Sequence, residues 1–145
     1  MSYWDTSALV KLYLRESDSR RFEELAEETN RLVTAAFARH EVRAAFRRRE
    51  AEGALAAGES ATLFQLFDGD NARGEIEAIS DSAAVEAEFA GVLETCLSRQ
   101  PPIFIRTLDA WHLASARVSG ETEFVTADLR QRAAALALAF NVLPT

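Results

Sequence analysis

Short apolar segments alternate with stretches of helical periodicity along the whole chain, and four of them have an acidic residue close behind. Ser2-Tyr3-Trp4 runs into Asp5, Leu32-Val33-Thr34 precedes Glu41, Ile103-Phe104-Ile105 precedes Asp109, and Phe124-Val125-Thr126 precedes Asp128. Strands alternating with helices in this way predict an α/β domain around a mainly parallel sheet. In such sheets, sites form beyond the carboxyl ends of the strands, where Asp5 and Asp128 fall.

The helices are read from period and caps. Thr6-Ser7 caps a helix carrying Leu9, Val10, Leu12 and Tyr13, and Ser17-Asp18-Ser19 opens a second that turns Phe22, Leu25 and Ala26 inward. Residues 36–50 form a third, with Phe37, Glu41, Ala44 and Ala45 on the apolar side and Arg39 and Arg43 opposite. Residues 60–67 read as a short helix, 68–74 as a turn, and 75–80 as a half-buried edge strand through Ile76 and Ile79. Ser82 opens a long helix that ends by Pro101-Pro102, and another runs from Thr107 to Gly120 with almost no polar face. A strand over 121–126, an alanine-rich helix over 128–140 and a last strand over 141–143 complete the pattern. No repeat or linker interrupts it, so 145 residues with 48% apolar content predict a single domain over 1–145.

The lone Cys96 has no disulfide partner and falls at an apolar helical position, as a packed small hydrophobe. Asp5 stands before any long apolar run, which predicts a cytoplasmic protein and no membrane partner. The net charge of −7 argues against a grip on nucleic acid through overall electrostatics. With four acids set aside as metal ligands the remainder is −3, and Arg39, Arg43, Arg47, Arg48 and Arg49 cluster. That run reads first as a solvated helix face.

Each acid has a structural explanation of its own. Asp5 and Asp128 are placed to cap helices, and Asp109 suits the first turn of one. Glu41 has only Arg48 as a partner on its own helix. One arrangement accounts for all four: together they would repel one another unless a hard cation offset their charge, and oxygen-only ligation suits Mg2+ or Mn2+. His40 and His112 have no partner at zinc-ligand spacing, so His112 reads as a packed or hydrogen-bonded residue. A nucleophile elbow, a Walker loop and a dinucleotide turn are all missing. A haloacid dehalogenase-type phosphatase fails too, because no second Asp follows Asp5 two residues on.

Four segments resemble the signatures of PIN-domain ribonucleases, in particular VapC-like toxins of type II toxin-antitoxin systems. They are Tyr3-Trp4-Asp5-Thr6-Ser7-Ala8-Leu9-Val10-Lys11-Leu12-Tyr13, Arg39-His40-Glu41-Val42-Arg43-Ala44, the stretch 106–116 around Asp109, and Thr126-Ala127-Asp128-Leu129-Arg130. Trp111 stands where the resemblance implies an aliphatic residue.

The resemblance implies a three-layer α/β/α sandwich with a mainly parallel five-stranded sheet in the order 3-2-1-4-5. It implies a Mg2+- or Mn2+-dependent endoribonuclease leaving 5′-phosphate and 3′-hydroxyl ends. By position, Asp5, Glu41, Asp109 and Asp128 match the family's catalytic, metal-binding quartet, and Thr6 and Thr126 its supporting hydroxyls. An RNA substrate, a cognate small antitoxin protein and a homodimer follow as partners. For the antitoxin, exposed apolar residues of Leu9 to Leu14 and of Phe64 to Phe67 are candidate groove residues, with core packing the first reading of each stretch; for RNA, Arg15, Arg39, Arg43, Arg47 and Arg130 are candidate contacts. The competing expectation is a catalytically weak PIN-fold interaction module acting through a protein partner.

Overall fold

Five strands, β1 (Ser2–Trp4), β2 (Leu32–Ala35), β3 (Ile76–Ile79), β4 (Glu123–Val125) and β5 (Asn141–Leu143), pair in parallel in the order β3-β2-β1-β4-β5 in a computed structural model that describes residues 1–145. The expected order and direction are both observed. Parallel strands covered on both faces carry continuous apolar runs, as these do.

The period of two along each strand sorts side chains into two cores. Trp4, Leu32, Ile76 and Val125 pack with Leu9, Phe22, Val42, Phe46, Phe64 and Phe67. Those residues come from α1 (Thr6–Leu9), α2 (Ser19–Glu27), α3 (Ala38–Ala51) and α4 (Glu59–Ala72), a 3₁₀ turn over Val10–Leu12 extending α1. Tyr3, Val33, Phe124 and Val142 face the other way, onto Val85, Val92, Cys96, Leu113 and Ala134. That layer is α5 (Ala83–Leu97), α6 (Thr107–Ser119) and α7 (Leu129–Ala137). Three layers result. No helix is long and apolar enough to cross a membrane.

Helix ends follow their local chemistry. The Ser82 hydroxyl caps α5 by accepting from the Val85 amide at 3.2 Å, and Gly120 stops α6 in the left-handed region at φ 78°.

One expectation is corrected. The turn expected over 68–74 is helical up to Ala72, because the Asp68 and Asp70 side chains bond to other side chains and not to their own backbone. Asp68 takes two 2.9 Å bonds from Arg39, and Asp70 accepts from Tyr13 and Arg73. Core packing, the first reading of Leu9 to Leu14 and Phe64 to Phe67, is what the structure shows: Leu9, Leu14, Phe64 and Phe67 are buried core, while Leu66 is exposed. Val10, Leu12 and Tyr13 are half-buried against that core.

Candidate active site

Parallel strands end on one edge, and several of the chain segments around that edge carry polar side chains. Asp5 follows β1 directly and is 4% exposed. Its Oδ1 accepts from the Ala8 amide at 3.0 Å and the Ser7 hydroxyl at 2.6 Å, and its Oδ2 accepts from Thr126 at 2.6 Å. Asp5 is thus the cap of α1 and also the link between β1 and the segment after β4. Burial pushes its carboxyl above the ordinary range; the nearby His112, Ser7, Thr126 and the Ala8 amide oppose this without overcoming it.

Glu41 lies in the first turn of α3. The expected apolar face is rotated: the buried line is Ala38, Val42 and Phe46, Ala44 is exposed, and Glu41 sits at the margin, half-buried. Arg48 does not pair with it. Glu41 Oε1 instead accepts from the Thr6 hydroxyl at 2.7 Å and from His112 Nε2 at 2.8 Å. Burial alone would raise the Glu41 carboxyl, but the His112 bond and charge, Thr6 and Arg106 outweigh it and hold the group below its usual value. His112 is buried in the middle of α6, and its Nδ1 lies 2.9 Å from the Tyr3 hydroxyl. With Tyr3 donating to Nδ1, the hydrogen on Nε2 faces Glu41.

Asp109 occupies the first turn of α6, where its Oδ2 accepts from Arg106 Nε at 3.0 Å. Asp128 caps α7 by accepting from the Arg130 and Gln131 amides at 2.7 and 2.9 Å, and its own amide donates to Thr126 Oγ1 at 3.0 Å. The structure therefore bears out the cap readings of Asp5 and Asp128 and the first-turn reading of Asp109. The Asp109 position is braced through its carbonyl, which accepts from Gln131 Nε2 at 2.9 Å.

Arg106 contacts Asp109 and lies in the field of two more of these acids. Asp109 first, then Asp128 and Glu41, hold its guanidinium charged. Arg106, Ala127, Asp128, Leu129 and Arg130 line one open cavity. The donor chemistry, four carboxylates at one strand edge, suits a hard divalent cation. No three of them lie close enough to ligate one; Asp109 is tied to Arg106, and Glu41 to His112 and Thr6.

Ser7, Arg106, His112 and Gln131 belong to this site although sequence reasoning did not place them there. Ser7 and Gln131 had a signal, as polar residues inside the first helical turn and among alanines. Gln131 is 1% exposed, and its Oε1 has no partner. Of the candidate RNA-binding arginines, Arg39 is bound to Asp68 and Arg47 to Glu50. Arg130 is exposed at the rim of the Asp128 cavity.

Residues 2–136 match the PIN domain. The chain belongs to the PIN-domain family. Its fold is similar to that of VapC20 of Mycobacterium tuberculosis, described as a Sarcin-Ricin loop cleaving toxin, at 17% identity and a TM-score of 0.69, over 92% of this chain and 95% of that one. No curated protein matches the sequence.

Proposed function

We propose that this PIN domain, residues 1–145, is a Mg2+- or Mn2+-dependent endoribonuclease and the toxin of a toxin-antitoxin pair. The observation that carries the reading is the arrival of Asp5, Glu41, Asp109 and Asp128 from four separate elements at one strand edge, three of them around a single guanidinium. Family membership and the VapC20-like fold support it. A small antitoxin, a second copy of the chain and a cytoplasmic setting belong to the same proposal.

A bound divalent cation would supply Lewis acidity toward a phosphodiester and lower the pKa of a water. Asp5, Glu41, Asp109 and Asp128 would hold it, and to do so they would have to draw closer together than they stand here. The protein's own part is orientation. Ser7 and Thr126 fix both oxygens of Asp5, Thr6 and His112 fix one oxygen of Glu41, and Gln131 braces α6 against α7. Arg106 and Arg130 offer positive charge for backbone phosphates beside Asp128. Incubation of the purified protein with structured and unstructured RNA should give 5′-phosphate and 3′-hydroxyl ends in Mg2+ or Mn2+ and none in EDTA. Intact RNA under every cation condition would end the proposal.

The Arg106–Asp109 pair also favours a second reading, an interaction module whose own cation keeps the acids neutralised. The two differ in how the site meets a metal. If Arg106 merely holds the place of a cation, Arg106→Gln should tighten Mn2+ binding by roughly two- to fivefold, the worth of an exposed ion pair. Calorimetry on the metal-free protein measures it; absence of Mn2+ binding in both proteins favours the interaction module.

A further inference from the structure

A second opening lies beside the acids and has the opposite character. Ala36, Phe37, Ile79, Asp81, Leu108 and Trp111 line a cavity of about 300 Å³, at the lower end of small-ligand sites. It is formed where β2 and β3 end and α6 begins. It abuts the carboxylate site directly, since Phe37 packs its ring 4.7 Å from His112, the partner of Glu41, and Leu108 precedes Asp109.

Both aromatic walls are held in place from behind. Phe37 rests on His112, and Trp111 lies 5.0 Å from Phe89. Such rings need little ordering to accept a flat partner. No arginine or lysine lines the cavity, so it is unsuited to a phosphate. Its single charged group, Asp81, is exposed, and its carboxylate makes no hydrogen bond or ion pair within the protein. An opening lined by Arg106, Asp128 and Arg130 lies next to the same acids. An apolar slot with an acceptor at its rim, an acidic centre, and an opening flanked by two arginines together complement a flat base with donors attached to a charged backbone.

We infer that the Phe37–Trp111 cavity receives one unpaired nucleobase of the RNA next to the cleaved phosphate, and that Asp81 favours guanine there. The inference rests on the ribonuclease reading. Base-aromatic stacking tolerates every base, so discrimination must come from the rim. Guanine presents two adjacent donors, N1–H and the N2 amino group, to the two oxygens of a carboxylate, whereas uracil presents its N3–H between two carbonyls that the carboxylate would repel. Trp111, bulkier than the aliphatic residue expected at its position, thereby acquires a role: it supplies an aromatic wall.

Intrinsic tryptophan emission tests this without any cleavage. Trp4 is fully buried in the opposite core, which leaves Trp111 as the reporter of the cavity. In EDTA, guanosine 5′-monophosphate should change the emission saturably and bind roughly tenfold more tightly than uridine 5′-monophosphate. Asp81→Asn, at an exposed side chain without partners, should leave folding unchanged and reduce that gap to about twofold or less. Phe37→Ala should weaken both nucleotides by roughly tenfold. In Mg2+, Asp81→Asn should still cleave RNA but with the preference for guanine at that position reduced. Cleavage that depends on Asp5 with no nucleotide-induced emission change would overturn the base cavity and leave the nuclease reading standing. Nucleotide binding with no cleavage of any RNA would overturn the nuclease reading and, with it, the placement of the base beside a cleaved phosphate, leaving only a nucleotide-binding cavity. If Leu108→Gln, at a half-exposed side chain, alters the sedimentation of the protein while nucleotide binding is unchanged, the cavity is a contact between copies and the inference falls.

Discussion

Asp5→Asn is expected to abolish RNA cleavage, with a loss on the order of a thousandfold, while raising the melting temperature of the metal-free protein. The two effects share one cause. Asp5 is almost completely buried, and its carboxyl is held above the usual range because desolvation outweighs its hydrogen bonds. A group whose folded pKa is raised binds its proton more tightly in the folded chain, so stability is highest below the unfolded value and falls as pH rises through the window between the two. Above that window the charged carboxylate is a standing cost. Asparagine removes the charge at nearly equal size and is an equally good cap, keeping an oxygen for the Ser7 hydroxyl and the Ala8 amide. Its amide can donate to Thr126, whose hydroxyl then turns toward Ser7, 3.2 Å away. Melting curves from pH 3 to 8 measure the first effect: the variant should lack the decline that wild type shows from mildly acidic pH upward. Glu41, held below its usual value, contributes with the opposite sign, its stabilisation being lost as pH falls, so the difference between variant and wild type is the informative quantity. Added Mn2+ should reverse the ranking, raising the melting temperature of wild type more than that of the variant. A variant less stable than wild type without metal, yet still cleaving, would contradict both halves.

The placement of Asp5, Asp109 and Asp128 was readable because strand ends and helix caps are local events, decided by residues within a few positions. The same locality explains why Ser82 and Gly120 mark observed helix boundaries. What could not be read depends on partners distant in the chain. Asp68 and Asp70 look like turn residues until Arg39 and Tyr13 engage them. Glu41 has no visible partner until α6 brings His112 to it across 71 positions. The apolar residues of α1 and of Phe64 to Phe67 matched a docking groove as well as a core, since periodicity shows which side of a helix is apolar and not what covers it. Trp111 was visible in the sequence only as a departure in size. Its position over Phe89 and its place in a cavity with Phe37 come from the packing of α6 on α5 and beside the end of β2.

His112 is where the core and the acidic edge meet, and replacing it should destabilise the protein more than its small polar surface implies. His112→Leu keeps the volume approximately and removes both ring nitrogens. The Tyr3 hydroxyl, fully buried, would lose its 2.9 Å acceptor, and half-buried Glu41 would lose a charge-assisted donor at 2.8 Å. Each orphaned group costs about 1–3 kcal/mol, so chemical denaturation should register a loss of about 3 kcal/mol. A packing defect alone would give a similar number, and a second substitution separates the causes. Tyr3→Phe deletes the hydroxyl, so in the His112→Leu background it should recover about 1 kcal/mol, although it is destabilising in the wild-type protein. Glu41 supplies an independent signature. His112 is the first of the influences that hold its carboxyl low against burial, and without it burial prevails and the carboxyl rises. The stability that ionised Glu41 contributes above its unfolded pKa, lost as pH falls through the lower folded value, should then vanish from the acid limb of the stability curve. Equal destabilisation by Tyr3→Phe in both backgrounds, with an unchanged acid limb, would mean that the imidazole fills space at the centre of the site and does not organise it.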